Sequence, residues 1–246
     1  MKKTKLACIL SKIAYKKEFD IYLDVCKLRF IDCYCIEKNN VFCYILKISS
    51  KEIFIVFRGS NDIQDWLGNM NINIVAGIHE GFREMLNEIF IELSNYIFYK
   101  FTNKINIYLT GHSMGGALAS LCAIRLRKIG FKNIQETYTF GQPNYCNRTF
   151  KNKIKDLNLK FLNYINNNDI VPTLPKQLTV CGEIIYINSK GEIENNLSFV
   201  NKYKDKLLGF LKALFKDGKI DYIDDHKIDN YIKSLVGSGD IYYDGM

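Results

Sequence analysis

Residues 105–124 read INIYLTGHSMGGALASLCAI. Ile105 to Thr110 is a short apolar, β-prone run that predicts a strand. Met114 onwards is rich in Ala, Leu and Ile and predicts a helix from 114 to 129, ended by Gly130. Between them lies Gly111-His112-Ser113-Met114-Gly115, a G-x-S-x-G turn joining strand to helix. Such a turn holds its serine in a strained backbone conformation. Gly111 and Gly115 remove the Cβ atoms that would collide there, and Gly116, Ala117 and Ala119 let the helix lie close to the sheet. The helix N-terminus then aims free N–H groups at the place where negative charge would develop. Ser113 is the candidate nucleophile. The plainer alternative is a Gly-rich turn carrying a solvated serine.

A serine hydroxyl attacks only when a base takes its proton. Elbows of this kind take their partners in the chain order serine, acid, histidine. Of the three histidines, His79 precedes the elbow, His112 lies inside it and His226 alone follows it. The order rule therefore selects His226 as the base. Seven aspartates lie between Ser113 and His226, namely Asp156, Asp169, Asp205, Asp217, Asp221, Asp224 and Asp225. The orienting acid belongs just after a strand end on the elbow's edge of the sheet. Asp169, which follows the run Phe161 to Ile165, fits. Asp225 is the second choice, although neighbouring side chains diverge. A turn or cap role is the alternative for Asp169. The oxyanion donors expected are the Met114 backbone N–H and a group from Arg58-Gly59-Ser60, after an earlier strand.

Elsewhere the pattern alternates. Helices are expected over 4–17, 19–28, 82–101, 146–156, 200–217 and 226–236. Strands are expected over 30–36, 41–48, 53–57, 105–109, 137–140, 160–165 and 183–188, with 41–57 and 183–193 as hairpins. Strands alternating with helices after residue 82 predict an α/β fold with a mostly parallel central sheet flanked by helices. The chain reads as one domain over 1–246.

Apolar residues make up 48% and aromatics 13%, which excludes a disordered chain. The net charge is +8, but lysines are spread along the whole sequence and no nucleic-acid module accompanies them. Eight cysteines include no C-x-x-C, and three histidines supply few zinc ligands, so no metal or cofactor is expected. Cys33 and Cys35 read as thiols in a partly buried strand. Unpaired cysteines suit a reducing compartment. The N-terminal run Leu6 to Leu10 imitates an export signal but stops at Ser11-Lys12, and no stretch reaches the ~20 apolar residues of a membrane span. A cytoplasmic or peripheral-membrane location is expected, with export left open.

The pieces Phe57-Arg58-Gly59-Ser60, Asp65-Trp66, His79-Glu80-Gly81-Phe82, Gly111 to Gly115, Thr139-Phe140-Gly141-Gln142-Pro143, Asp169-Ile170-Val171-Pro172 with Leu174-Pro175, and Asp225-His226 leading into Asn230-Tyr231 occur in that order. Together they make the chain resemble the class 3 lipases, the fungal-lipase-like branch of the α/β-hydrolases. The resemblance spans residues 57–231. It implies Ser113 as nucleophile, Asp169 as acid, His226 as base, Ser60 and Met114 as oxyanion donors, no metal, and a structural His79. The substrate implied is a lipid acyl ester, with triacylglycerol, monoacylglycerol and phospholipid all open and the positive charge tilting toward a phospholipid surface. Two departures stand out. Only residues 61–78 are free for a lid, and neither a clear export signal nor disulfides are evident.

Residues 200–217 carry an apolar stripe (Val200, Tyr203, Leu207, Leu208, Phe210, Leu211, Leu214, Phe215) flanked by Lys202, Lys204, Lys206, Lys212 and Lys216. Such a helix suits contact with an anionic membrane, or packs as an ordinary surface helix. Two rival functions remain at this level: a non-lipid esterase or acyltransferase, and a catalytically silent membrane-binding protein on the same scaffold.

Overall fold

The computed structural model describes residues 2–28, 30–60, 62, 72–101, 104–194 and 224–237. Asp65-Trp66, most of the 61–78 lid span and the expected helix over 200–217 lie outside the described residues. Two helices open the chain, α1 (Lys2–Ile13) and α2 (Glu18–Lys27). A meander follows, with β1 (Asp32–Lys38), β2 (Val41–Ser49) and β3 (Glu52–Phe57) paired antiparallel. A small ribbon, β4 (Ile74–Val75) with β5 (Ile78–His79), leads into the long helix α3 (Glu80–Lys100). Next come β6 (Asn106–His112), α4 (Met114–Lys128), β7 (Ile134–Phe140), α5 (Arg148–Lys153) and β8 (Lys160–Asn166). Then β9 (Glu183–Ile187) and β10 (Ile193–Glu194) form a hairpin, and α6 (Ile228–Leu235) closes the described part.

The strands form one eight-stranded sheet ordered β1-β2-β3-β6-β7-β8-β9-β10. Its five middle strands, β3, β6, β7, β8 and β9, run parallel. This is the mostly parallel, helix-flanked sheet expected from the alternation. Parallel strands covered on both faces read as continuous apolar runs, and the middle of this sheet shows why. Ile53, Ile55 and Phe57 of β3 join one core with Phe82 and Leu86 of α3 and Leu118 and Leu121 of α4. Phe54 and Val56 point the other way, into a second core with Leu6 and Leu10 of α1 and Tyr231 and Leu235 of α6. Each such fully buried side chain contributes about 1.5–3 kcal/mol relative to exposure.

Several boundaries differ from the expected ones for physical reasons. β6 runs on to His112 instead of stopping at Leu109, because Phe57 of β3 and Phe140 of β7 still offer it ladder partners. The expected helix over 146–156 is shorter. Cys146 is held in bridges to Ile78 and Thr179, Asn147 caps α5 by accepting from Phe150 N at 2.8 Å, and residues 155–157 tighten to a 3₁₀ turn. α4 ends as expected at Gly130. Phe131 N donates to Leu126 O and Gly130 N to Arg127 O, which satisfies the last carbonyls. All eight cysteines are unpaired, with the Cys146 and Cys181 sulfurs 3.6 Å apart.

Candidate active site

The carboxyl ends of the parallel strands deliver the site. Ser113 follows β6 directly, with φ 56° and ψ −131°, a left-handed-side conformation that costs a non-glycine residue on the order of 1–3 kcal/mol. The neighbours enforce it. Ser113 N donates to Phe140 O at 2.9 Å, and Gly116 N donates back to Ser113 O at 2.9 Å. A Cβ on Gly115 would lie 2.3 Å from the Phe57 carbonyl oxygen, so only glycine lets α4 start this close to the end of β3. Ser113 Oγ is buried and lacks a hydrogen-bond partner among the described residues. A buried hydroxyl left unpaired calls for a reason, and readiness to react is one.

Asp169 sits in the loop after β8 and is fully buried. Its carboxylate accepts from three donors. Val171 N reaches Oδ1 at 2.9 Å, the Tyr231 hydroxyl reaches Oδ2 at 2.6 Å, and His226 Nδ1 lies 2.9 Å from Oδ2. A carboxylate only accepts, so in the neutral imidazole Nδ1 carries the proton and Nε2 keeps its lone pair. That Nε2 is buried and, among the described residues, unpaired. Gly141, at the end of β7 with φ +60°, makes room for the pair. A Cβ there would lie 2.8 Å from both Asp169 Oδ2 and His226 Nδ1.

Asp225, the second candidate acid, does other work. Its Oδ2 accepts from Asn167 Nδ2 at 3.1 Å and Asn168 N at 3.2 Å, while Asn166 Nδ2 donates to its carbonyl at 3.0 Å. It ties the His226 turn to the Asp169 loop. Burial raises its pKa, and the Asn168 and Asn167 donors oppose that. Tyr231 was legible only as a motif position. Its hydroxyl accepts from Asn166 N at 3.1 Å and donates to Asp169, so it fixes the Asp169 rotamer. Burial and then the Asp169 charge push its pKa far up, which keeps it a donor.

Of the two expected oxyanion donors, Met114 is the first residue of α4, where helix N–H groups lack intrahelical partners. Ser60 follows β3 on the same edge. Its hydroxyl is turned along its own loop, donating to Asp62 O at 2.9 Å. His79 is buried in β5. Its backbone N–H donates to Tyr145 O at 2.9 Å, its ring lies 4.5 Å from that of Phe82, and burial lowers its pKa. Among the described residues no group of three His, Cys, Asp or Glu side chains is arranged to hold a metal ion, and no helix is long and apolar enough to cross a membrane.

The family model described as lipase (class 3) matches residues 54–179, just over half of the chain. The chain belongs to the class 3 lipase family. Within that family it is 34% identical to a lipase of Rhizomucor miehei over 139 residues, which is 52% of this chain and 38% of that one. It is 33% identical to the secreted mono- and diacylglycerol lipase 1 of Fusarium solani over 148 residues, 56% of this chain and 44% of that one. The chain thus matches less than half the length of these two relatives. Among solved structures, the native Rhizomucor miehei lipase–propeptide complex superposes with a TM-score of 0.62 at 26% identity, covering 77% of this chain and 68% of that one. A triacylglycerol lipase reported to have a serine-protease triad superposes with a TM-score of 0.69 over 85% of this chain and 92% of that one, at 23% identity, a likeness of fold.

Proposed function

We propose that this class 3 lipase chain, taken as one hydrolase domain, cleaves carboxylic acyl esters of lipids through an acyl-enzyme. The observation that carries the reading is the buried Asp169–His226 pair, 2.9 Å apart, whose Nε2 has no partner among the described residues and belongs to the same strand-end cluster as the strained Ser113. Ser113 Oγ attacks the ester carbonyl carbon, and its proton passes to His226 Nε2. The imidazolium is stabilised by Asp169, and the oxyanion is held by the Met114 N–H and by Ser60. The carbon–oxygen bond to the alcohol breaks as His226 returns the proton to the leaving oxygen. Water then attacks the acyl-enzyme, giving its proton to His226; the bond from the acyl carbon to Ser113 Oγ breaks as His226 returns that proton to Oγ, and the fatty acid departs.

Relatives named as mono- and diacylglycerol lipases favour a neutral acylglycerol over a phospholipid. The same names favour an exported enzyme over the cytoplasmic one that the unpaired cysteines suggest. Contact with an anionic surface through residues 200–217 remains part of the proposal on their charge pattern alone.

The test is product analysis on emulsified diacylglycerol, triacylglycerol and phosphatidylcholine. Fatty acid released from acylglycerols in clear excess over phospholipid is expected. Turnover of a soluble p-nitrophenyl ester with no release from any lipid would replace the lipase by a non-lipid esterase. No turnover of either by the folded protein would favour a silent scaffold.

A further inference from the structure

His112 lies inside the elbow, yet the chemistry above leaves it unused. Its ring stands 4.6 Å from that of His226, tilted by 35°. Its Nε2 lies 2.6 Å from the main-chain carbonyl oxygen of His226. A carbonyl cannot donate, so Nε2 must carry the His112 proton and Nδ1 must be the acceptor. The group that fills Nδ1 is the hydroxyl of Tyr15, 2.7 Å away and 97 residues earlier, just beyond the end of α1. The same hydroxyl abuts the loop proposed to hold the oxyanion. A Cβ on Gly59 would fall 2.1 Å from the Tyr15 oxygen.

The His226 carbonyl needs this partner. His226 ends a 3₁₀ turn over Asp224–His226, two residues before α6 begins, so its carbonyl lies outside the helix ladder. A buried carbonyl without a partner costs about 1–3 kcal/mol. His112 satisfies it, with its ring 4.6 Å from that of the base.

We propose that Tyr15 and His112 are positioning residues for catalysis, a directional relay in which the Tyr15 O–H donates to His112 Nδ1 and His112 Nε2–H holds the His226 carbonyl, setting the base's height over Ser113 while the phenol braces Gly59. The inference rests on His226 being the base. Burial, reinforced by the neighbouring His226, keeps the His112 pKa well below the usual imidazole range. A neutral His112 avoids placing a second cation beside the imidazolium that forms during turnover. Burial likewise raises the Tyr15 pKa, so the phenol stays protonated and donates.

The experiment compares wild type with Tyr15→Phe, His112→Leu and His112→Gln on a soluble p-nitrophenyl ester, alongside thermal melts and fluorophosphonate labelling rates. Tyr44→Phe is the control. It removes another phenol, bonded to Leu10 O of α1 at 2.7 Å from the middle of β2, and should affect stability alone. Tyr15→Phe is expected to lower kcat and the labelling rate about tenfold with KM nearly unchanged, the size of one well-aligned hydrogen bond. His112→Leu should lose more, and His112→Gln, which can still offer an N–H to the carbonyl, should recover most of it. Unchanged kcat in Tyr15→Phe, or equal losses in Leu and Gln variants that track their melting temperatures, would overturn the relay. A wild type that neither labels nor turns over would instead overturn the hydrolase reading on which the relay rests.

Discussion

Ser113→Ala is expected to reduce ester turnover by about 10⁶-fold while leaving the protein folded, the scale seen when the nucleophile of a serine triad is deleted. Alanine keeps the Cβ and removes only Oγ, a hydroxyl that has no hydrogen-bond partner among the described residues. The elbow is therefore not held up by that oxygen. It is held by the Ser113 N to Phe140 O and Gly116 N to Ser113 O bonds, which alanine retains. The φ of 56° is no harder for alanine than for serine. Steady-state kinetics with a melt on the same sample checks both halves. A variant with more than about one hundredth of wild-type turnover would mean that another group attacks the ester.

Asp169→Asn is the second large effect, an expected fall in kcat of about 10⁴-fold. The size follows from the donor count. The Asp169 carboxylate accepts from Val171 N, Tyr231 and His226 Nδ1 at once. An asparagine keeps one acceptor oxygen and turns the other position into a donor. The Val171 N–H, fixed by the backbone, claims the oxygen, and the amide NH₂ then faces both Tyr231 and His226 Nδ1. A donor opposite Nδ1 favours the tautomer with its proton on Nε2, the atom that should receive the serine's proton. Substrate binding does not pass through this pair, so KM should move little. Imidazole ¹⁵N chemical shifts of His226 check the cause, since they report which nitrogen carries the proton.

The parts of this site that were legible in the sequence are those built from neighbours along the chain. The elbow is local: strand, turn and helix run without interruption from Asn106 to Lys128, and Gly115 marks the close approach of α4 to Phe57. Asp169 was separable from six other aspartates because it alone follows a strand on the right edge. His226 came from chain order. What stayed hidden arrives through tertiary packing. Tyr15 reaches His112 across 97 residues, and its approach to Gly59 has no sequence signature. Tyr231 appeared as a motif letter, but its grip on Asp169 depends on the angle of α6 against the sheet. The Asp225 clamp has no sequence signature because its partners are neutral amides of an Asn-rich loop, Asn166 Nδ2, Asn167 Nδ2 and Asn168 N, rather than another charge. Strand ends differ from local propensity where partners in the sheet decide how far a strand runs.

The proposed function stands on Ser113 as a nucleophile activated by the Asp169–His226 pair. The most direct measurement is intact-protein and peptide mass spectrometry after reaction with a fluorophosphonate. One adduct per chain is expected, mapped to the peptide carrying Ser113, formed fast in wild type and lost in Ser113→Ala. A folded wild type that stays unmodified, or an adduct on any other residue, would contradict the account.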